Sequence, residues 1–147
     1  MAPKLPPTAR SLPIALIRAR EGVMIPIRAM LAETGITEQQ WRVLRVLSEF
    51  GTMDTKTLAD RASLLFPSLT RIATTLSNKG LITQTRDKKD RRRQLIKLTE
   101  AGQTVIDAHA PQAARIAAAF QRRLGAQDHA LLLDLLAKLD PGAESKR

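Results

Sequence analysis

From Leu12 onward the apolar residues fall at Leu12, Leu16, Ala19, Val23, Ile27 and Met30, in steps of three or four, which marks one face of an amphipathic helix. Pro26 lies inside that run and has no N–H to donate to the Gly22 carbonyl, so a bend is expected there. A second helix begins in GITEQQW. Thr37 suits the N-cap, Gln40 stands three residues later as its capping-box partner, and Ile36 can staple to Trp41 across the first turn. This helix is predicted from Glu38 to about Phe50, with its stop at Gly51. Asp54 then caps a short helix through Leu58, Ala59 and Ala62. After a brief turn, FPSLTRIATTLSNKGL opens with Pro67 in its first helical turn and closes with Gly80, followed by apolar Leu81. Two helices joined by a tight turn are the helix-turn-helix pattern.

The period then changes. LITQT (81–85) and QLIKL (94–98) are short and alternating, so they read as a hairpin whose tip is residues 86–93. Beyond it Thr99 caps a long alanine-rich helix to about Leu124, in which Pro111 should make a kink. ALLLDLLAKL makes a last helix with Leu132, Leu135, Leu136 and Leu139 on one stripe, stopped by Pro141-Gly142. The expected fold class is mainly α with a small β-hairpin wing (α+β), a winged helix-turn-helix.

The second helix of the helix-turn-helix has two chemically distinct faces. Leu69, Ile72, Ala73 and Leu76 form the buried stripe, and Ser68, Thr70, Arg71, Thr74, Thr75 and Asn78 lie opposite. Short donors and acceptors with one forked cation suit base edges and phosphates in a major groove. An ordinary solvated face is the alternative, but no acidic residue occurs from Pro67 to Lys79, whereas a face selected for solubility usually mixes both signs.

Charge sharpens this picture. The 147 residues carry a net charge of +10, and residues 86–97 hold seven cations against two carboxylates, half of the excess. A localised basic patch points to a polyanion. Placed on a hairpin after a polar helix, it reads as a wing whose cations lie along phosphates or enter the adjoining minor groove. In that reading Asp90 orients Arg92 through a charge-assisted pair. A flexible basic loop is the plainer alternative.

Composition excludes other classes. There is no cysteine, hence no disulfide, thiolate metal site or cysteine redox sensor. His109 and His129 are the only histidines, both read as surface residues, and no glycine-rich phosphate loop, nucleophile elbow or paired-carboxylate cluster appears, so an enzyme, a metal site and a cofactor are not expected. The stretch from Pro67 to Pro111 has no Phe, Trp or Tyr, which argues against RNA or single-strand stacking. No apolar run reaches membrane-span or signal-peptide form, so the expectation is a cytoplasmic protein with no membrane partner. Four of the eight prolines lie in the first thirteen residues, as in an extended arm.

TEQQWRVLRVL, LADRA, PSLTRIATTLSNKGLI and DRRRQLIKLTEAG resemble, in order and spacing, the MarR family of winged-helix regulators over roughly residues 12 to 140. Within it the likeness is nearest to regulators of homoprotocatechuate (4-hydroxyphenylacetate) degradation operons. The resemblance implies a homodimer of about six helices per chain, binding to a pseudo-palindromic duplex, and release by a small phenolic or aromatic acid. It assigns DNA contacts to Ser68, Thr70, Arg71 and Thr74 in the helix and to Asp90 and Arg92 in the wing, with Arg91 and Arg93 as phosphate neighbours. It also sets an effector pocket among the first, second and fifth helices, where Arg18, Arg20, Trp41 and Arg42 are the candidates to hold a carboxylate and an aromatic ring.

The expected organisation is an extended N-terminal arm (1–11), a dimerisation helix (12–36), a winged helix-turn-helix DNA-binding domain (37–98), C-terminal dimerisation helices (99–141) and a tail (142–147). One wing domain cannot bury both terminal stripes, so a partner chain is expected to cover them; packing of the two stripes on each other within one chain is the alternative. The function expected is a ligand-responsive regulator, in the sense of a repressor, of an aromatic-compound catabolic operon. A non-sensing architectural duplex-binding protein is the other reading.

Overall fold

The computed structural model describes residues 1–142, so all of the expected tail except Gly142 lies outside the described residues. Six helices and three short strands follow in the order α1 (Leu12–Leu31), α2 (Glu38–Phe50), β1 (Met53–Asp54), α3 (Thr55–Arg61), α4 (Phe66–Asn78), β2 (Ile82–Arg86), β3 (Gln94–Leu98), α5 (Glu100–Leu124) and α6 (Ala126–Leu139). The fold is thus mainly α with a small antiparallel sheet, a winged helix-turn-helix. The proline-rich arm is exposed and contains one 3-10 turn at Thr8–Arg10.

Local chemistry sets the boundaries. The Gln40 N–H donates to Thr37 Oγ1 at 3.1 Å and the Thr37 N–H donates to Gln40 Oε1 at 3.2 Å, a complete capping box. Ile36 and Trp41 are both buried beside it. At the end of α4, Gly80 takes φ 74° while the Leu81 N–H donates to the Leu76 carbonyl and the Gly80 N–H to that of Ser77, which is a Schellman motif. Thr99 caps α5 by accepting from the Gly102 N–H and donates its own hydroxyl proton to the Gly80 carbonyl. Gly102 must lack a side chain, because a Cβ there would collide with the Leu81 carbonyl oxygen and the Leu98 side chain. The start of α5 is therefore seated against the end of α4.

The sheet has the order β1-β3-β2, with β2 and β3 paired from Ile82 with Leu98 to Arg86 with Gln94. The two-residue β1 pairs Met53 with Ile96 and Asp54 with Leu95 on the other edge of β3. That third strand was not visible in the residue pattern. One further difference from expectation concerns the helices: the last helix begins at Ala126, directly after Gly125 at φ 84°, four residues before Ala130, where the leucine-rich segment was expected to open it. Pro26 and Pro111 both lie inside their helices, α1 and α5, without ending them.

The core lies in the middle of the chain. Val43, Leu44 and Leu47 of α2, Leu58 of α3, Leu69 and Leu76 of α4, Ile82 and Ile96 of the sheet are fully enclosed. Transfer of each from water is worth about 1.5–3 kcal/mol before the entropic cost of ordering it. The terminal helices differ. Of the α1 stripe, Met30 is buried and Ile27 packs on the core, but Leu12, Leu16 and Val23 are exposed, and in α6 Leu131, Leu132, Leu133, Leu135, Leu136 and Leu139 are all exposed. α1 and α6 each pack on α5, and they are not among the helix pairs with extensive mutual contact. Packing of the two stripes on each other within one chain does not occur to that extent.

Candidate nucleic-acid interface and effector region

The helix-turn-helix presents α4 with the face division read from its sequence. Leu69, Ile72, Ala73 and Leu76 are buried, Thr70, Arg71, Thr74 and Asn78 are exposed, and Ser68 and Thr75 are half-buried. The hydroxyls of Thr70, Thr74 and Thr75 donate back to the carbonyls of Phe66, Thr70 and Arg71, at 3.1 to 3.2 Å. Their oxygen lone pairs therefore face outward as acceptors, while Arg71 makes no ion pair and stands ready as a donor among the described residues.

The wing tip is an ordered loop. Asp87 accepts from the Lys89 N–H at 2.9 Å and Asp90 from the Arg92 N–H at 3.1 Å, two Asx turns in succession. Arg86 donates to the Arg91 carbonyl, and the Asp87 N–H to that of Arg93. Arg92 Nε also lies 3.2 Å from Asp90 Oδ1 while its side chain is 93% exposed, so the carboxylate fixes the stem and leaves the terminal nitrogens pointing outward. These bonds hold the Asp90 carboxyl below the ordinary carboxylate range, the Arg92 side chain contributing most and the Arg92 backbone N–H next. Lys88, Lys89 and Arg91 have no carboxylate partner among the described residues. Arg93 is engaged instead: Nη2 donates to Asp54 Oδ2 at 2.7 Å, and Nη1 lies 3.6 Å from Asp87. The sequence pattern showed Asp54 only as a helix cap, so its second partner was missed.

Between α4 and the wing runs a cleft of about 490 Å³ whose walls include Phe66, Thr70 and Ala73 on one side and Gln84, Arg92 and Arg93 on the other. Thr70 of the polar face and the oriented wing cation thus border one groove.

Outside that cleft, Arg20 of α1 and Arg42 of α2 converge on Glu38, at 3.7 and 3.3 Å. The enclosed Arg42 Nε has that carboxylate as charge partner but no aligned hydrogen bond, and Nη1 donates to the Ser63 carbonyl at 3.4 Å. Arg18 is exposed and unpaired among the described residues. Trp41 is buried, and the His109 ring of α5 meets it edge-on at 5.9 Å between centroids. His109 is therefore a half-buried packing residue, not the surface residue expected; its partner lies 68 positions away, beyond any local pattern. Because the Val105 carbonyl 2.9 Å from Nδ1 can only accept, Nδ1 carries the proton. Residues from α1, α2 and α5 do come together here, but none of the cavities lined by α4 and the wing, by the α1–α2 loop, or by α3 and residues 140–142 includes Arg18, Arg20, Trp41 or Arg42.

No group of three His, Asp or Glu is placed to hold a metal ion, and no helix is long and apolar enough to cross a membrane, among the described residues.

Comparison with known proteins agrees with this geometry. The family model described as MarR family matches residues 36–93, from the staple residue before α2 to the wing anchor. The HTH-type transcriptional regulator FarR of Neisseria gonorrhoeae is 40% identical over 129 residues, 88% of each chain. The homoprotocatechuate degradative operon repressor of Escherichia coli is 42% identical over 97 residues, 66% of each chain. Among solved structures, NadR in complex with 4-hydroxyphenylacetate has a TM-score of 0.80 at 38% identity, covering 95% of this chain and 97% of that one. The transcriptional repressor CouR bound to a 23-mer DNA duplex has a TM-score of 0.81 at 25% identity, covering 95% and 99%. With a groove between a polar helix and a basic wing, and with relatives that are regulators and not enzymes, the chain belongs to the MarR family of transcriptional regulators.

Proposed function

We propose that this chain is a ligand-responsive repressor of an aromatic-compound catabolic operon, acting as a homodimer on a pseudo-palindromic duplex in the cytoplasm and released by a phenolic or aromatic acid. The observation that carries the DNA part is the shared groove of α4 and the wing, with Thr70 and the Asp90-oriented Arg92 on its two walls. Ser68, Thr70, Arg71 and Thr74 would meet base edges and phosphates in the major groove, Arg92 the adjoining minor groove, and Arg91 a phosphate. The bare leucines of α6 and the outer end of α1 support the dimer, since an interface of the obligate class, about 2,000 Å² or more, needs an apolar face of that kind. Packing the termini of two chains would set two α4 helices about 34 Å apart, one turn of DNA.

The effector part rests on Arg20, Trp41 and Arg42, which α1 and α2 bring beside Glu38 and His109, and on the similarity to a protein solved with 4-hydroxyphenylacetate. A ligand held there would act as a population shift, by binding better to a separation of the α4 helices that no longer matches successive grooves. One observation favours the second reading, a non-sensing architectural duplex-binding protein: Arg20 and Arg42 already share Glu38 as counterion. An incoming acid must therefore displace that carboxylate or add to it.

Shift assays with duplex, single strand and RNA test the first part, and duplex binding should weaken with salt at a slope of about −0.9 per phosphate neutralised. Repeating the duplex titration with 4-hydroxyphenylacetate tests the second. Equal affinity for all three nucleic acids defeats the DNA reading, whereas duplex binding indifferent to a panel of aromatic acids leaves the architectural one.

A further inference from the structure

The Arg93 side chain lines the same cleft as Arg92 but is turned onto carboxylates of the protein. Its Nη2 donates to Asp54 Oδ2 at 2.7 Å, while Asp54 Oδ1 accepts from the Thr57 N–H at 2.7 Å and so caps α3. One carboxylate thereby joins the wing to the first helix of the helix-turn-helix. We propose that Arg93 is a positioning residue, a clamp on Asp54 that sets the wing at a fixed angle to α4, and not a phosphate contact. The inference rests on the reading that the wing touches DNA.

Three features support it. The guanidinium lies between two carboxylates, Asp54 and Asp87 at 3.6 Å, so a phosphate would have to displace them. The Arg93 backbone is itself tied into the tip, its N–H donating to the Asp90 carbonyl and its carbonyl accepting from the Asp87 N–H. Its side chain therefore transmits the position of α3 to the loop that carries Asp90 and Arg92. Finally, the other links from the helix-turn-helix to the wing are slight among the described residues: the two-residue β1, a long Thr55 hydroxyl bond to the Gln94 carbonyl at 3.5 Å, and packing of α4 on β2, while α3 packs directly on α4. The clamp is the charge-assisted link that ties the outer half of the hairpin to the start of α3. Arg93 is half exposed, so the pair adds little to overall stability, and its effect is on orientation.

The test uses the full chain and a selected duplex, titrated over a range of salt, with Asp54→Asn, Arg93→Gln, the double variant and Arg92→Ala beside the parent. Asn at position 54 still accepts from the Thr57 N–H, so α3 stays capped and a folding defect is avoided. Each single variant is expected to weaken binding about five- to tenfold with an unchanged salt slope, and the double variant to be no weaker than either, because both remove the same clamp. Hydroxyl-radical protection under the wing should fade while protection under α4 persists, and the thermal midpoint of Arg93→Gln should stay put, that of Asp54→Asn falling only by the weakened α3 cap. A salt slope lower by about 0.9 in Arg93→Gln, with Asp54→Asn binding as tightly as the parent or tighter, would overturn the proposal by making Arg93 a phosphate contact. Arg92→Ala binding like the parent would instead remove the wing reading on which it stands.

Discussion

Asp90 and Arg92 form a bond within a single loop turn in which the acid is the positioning partner: Oδ1 accepts from both the backbone N–H and Nε of Arg92, at 3.1 and 3.2 Å. The terminal nitrogens of the arginine are left outward. An acidic residue in a cationic wing thus has a role that its charge alone would not suggest.

That relationship gives a prediction of unusual sign. Arg92→Ala is expected to weaken duplex binding by about 1–3 kcal/mol. Asp90→Ala removes a negative charge from a DNA-facing loop and is nevertheless expected to weaken binding, because Arg92 then loses its fixed orientation. Anisotropy titrations of the two variants decide. Tighter binding by Asp90→Ala would mean that charge, not orientation, governs the wing.

Arg71 and Arg91 should separate base reading from phosphate contact. Both are exposed, the first on α4 and the second on the wing tip. Arg71→Ala is expected to relax sequence preference at one position of each half-site by about 1–3 kcal/mol. Arg91→Ala should weaken all duplexes alike and lower the salt slope by about 0.9. Binding-site selection with each variant measures this, and an unaltered preference in Arg71→Ala would place base readout elsewhere.

Much of this was legible in the residues, and the exceptions have a common cause. Thr37 and Gln40, Pro67 and Gly80, and the alternation in LITQT and QLIKL each act through neighbours in sequence, so the bounds of α2, α4 and the hairpin follow from local chemistry. β1 is two residues long and has no period to read. Asp54 showed its cap to Thr57 three residues on, but not its bond to Arg93, which lies 39 positions away. The Trp41–His109 pair was hidden for the same reason. The α1 stripe illustrates a different limit: its period is real throughout, yet Met30 is covered by this chain and Leu12 and Leu16 are not. Periodicity reports a face, and only packing reports what covers it.

Acid should reveal the Asp54 bonds. The Thr57 backbone N–H and then its side chain hold the Asp54 carboxyl below the ordinary carboxylate range, with Arg93 adding a smaller pull. A carboxyl depressed in the folded state contributes stability that is present above its unfolded value and lost as pH falls through the folded one. The stability gap between the parent and Asp54→Asn should therefore be constant near neutrality and shrink below the ordinary carboxylate range. Urea unfolding across pH measures it, and a gap that widens in acid would contradict the assignment.

For the effector, Arg20 is the candidate anchor of the carboxylate. If it holds a ligand carboxylate, Arg20→Ala should keep duplex affinity within about twofold, as for an exposed substitution away from the interface, and lose most of its response to 4-hydroxyphenylacetate. An equal response in parent and variant ends that role for Arg20.

The most direct measurement is a hydroxyl-radical footprint of the full chain on a selected genomic duplex, taken together with the stoichiometry of binding. Two chains per duplex are expected, protecting two segments with centres about 34 Å apart, and Leu136→Glu, which charges the bare α6 face, should abolish both features at once. One chain per duplex, or a single protected segment unaffected by Leu136→Glu, would contradict the account.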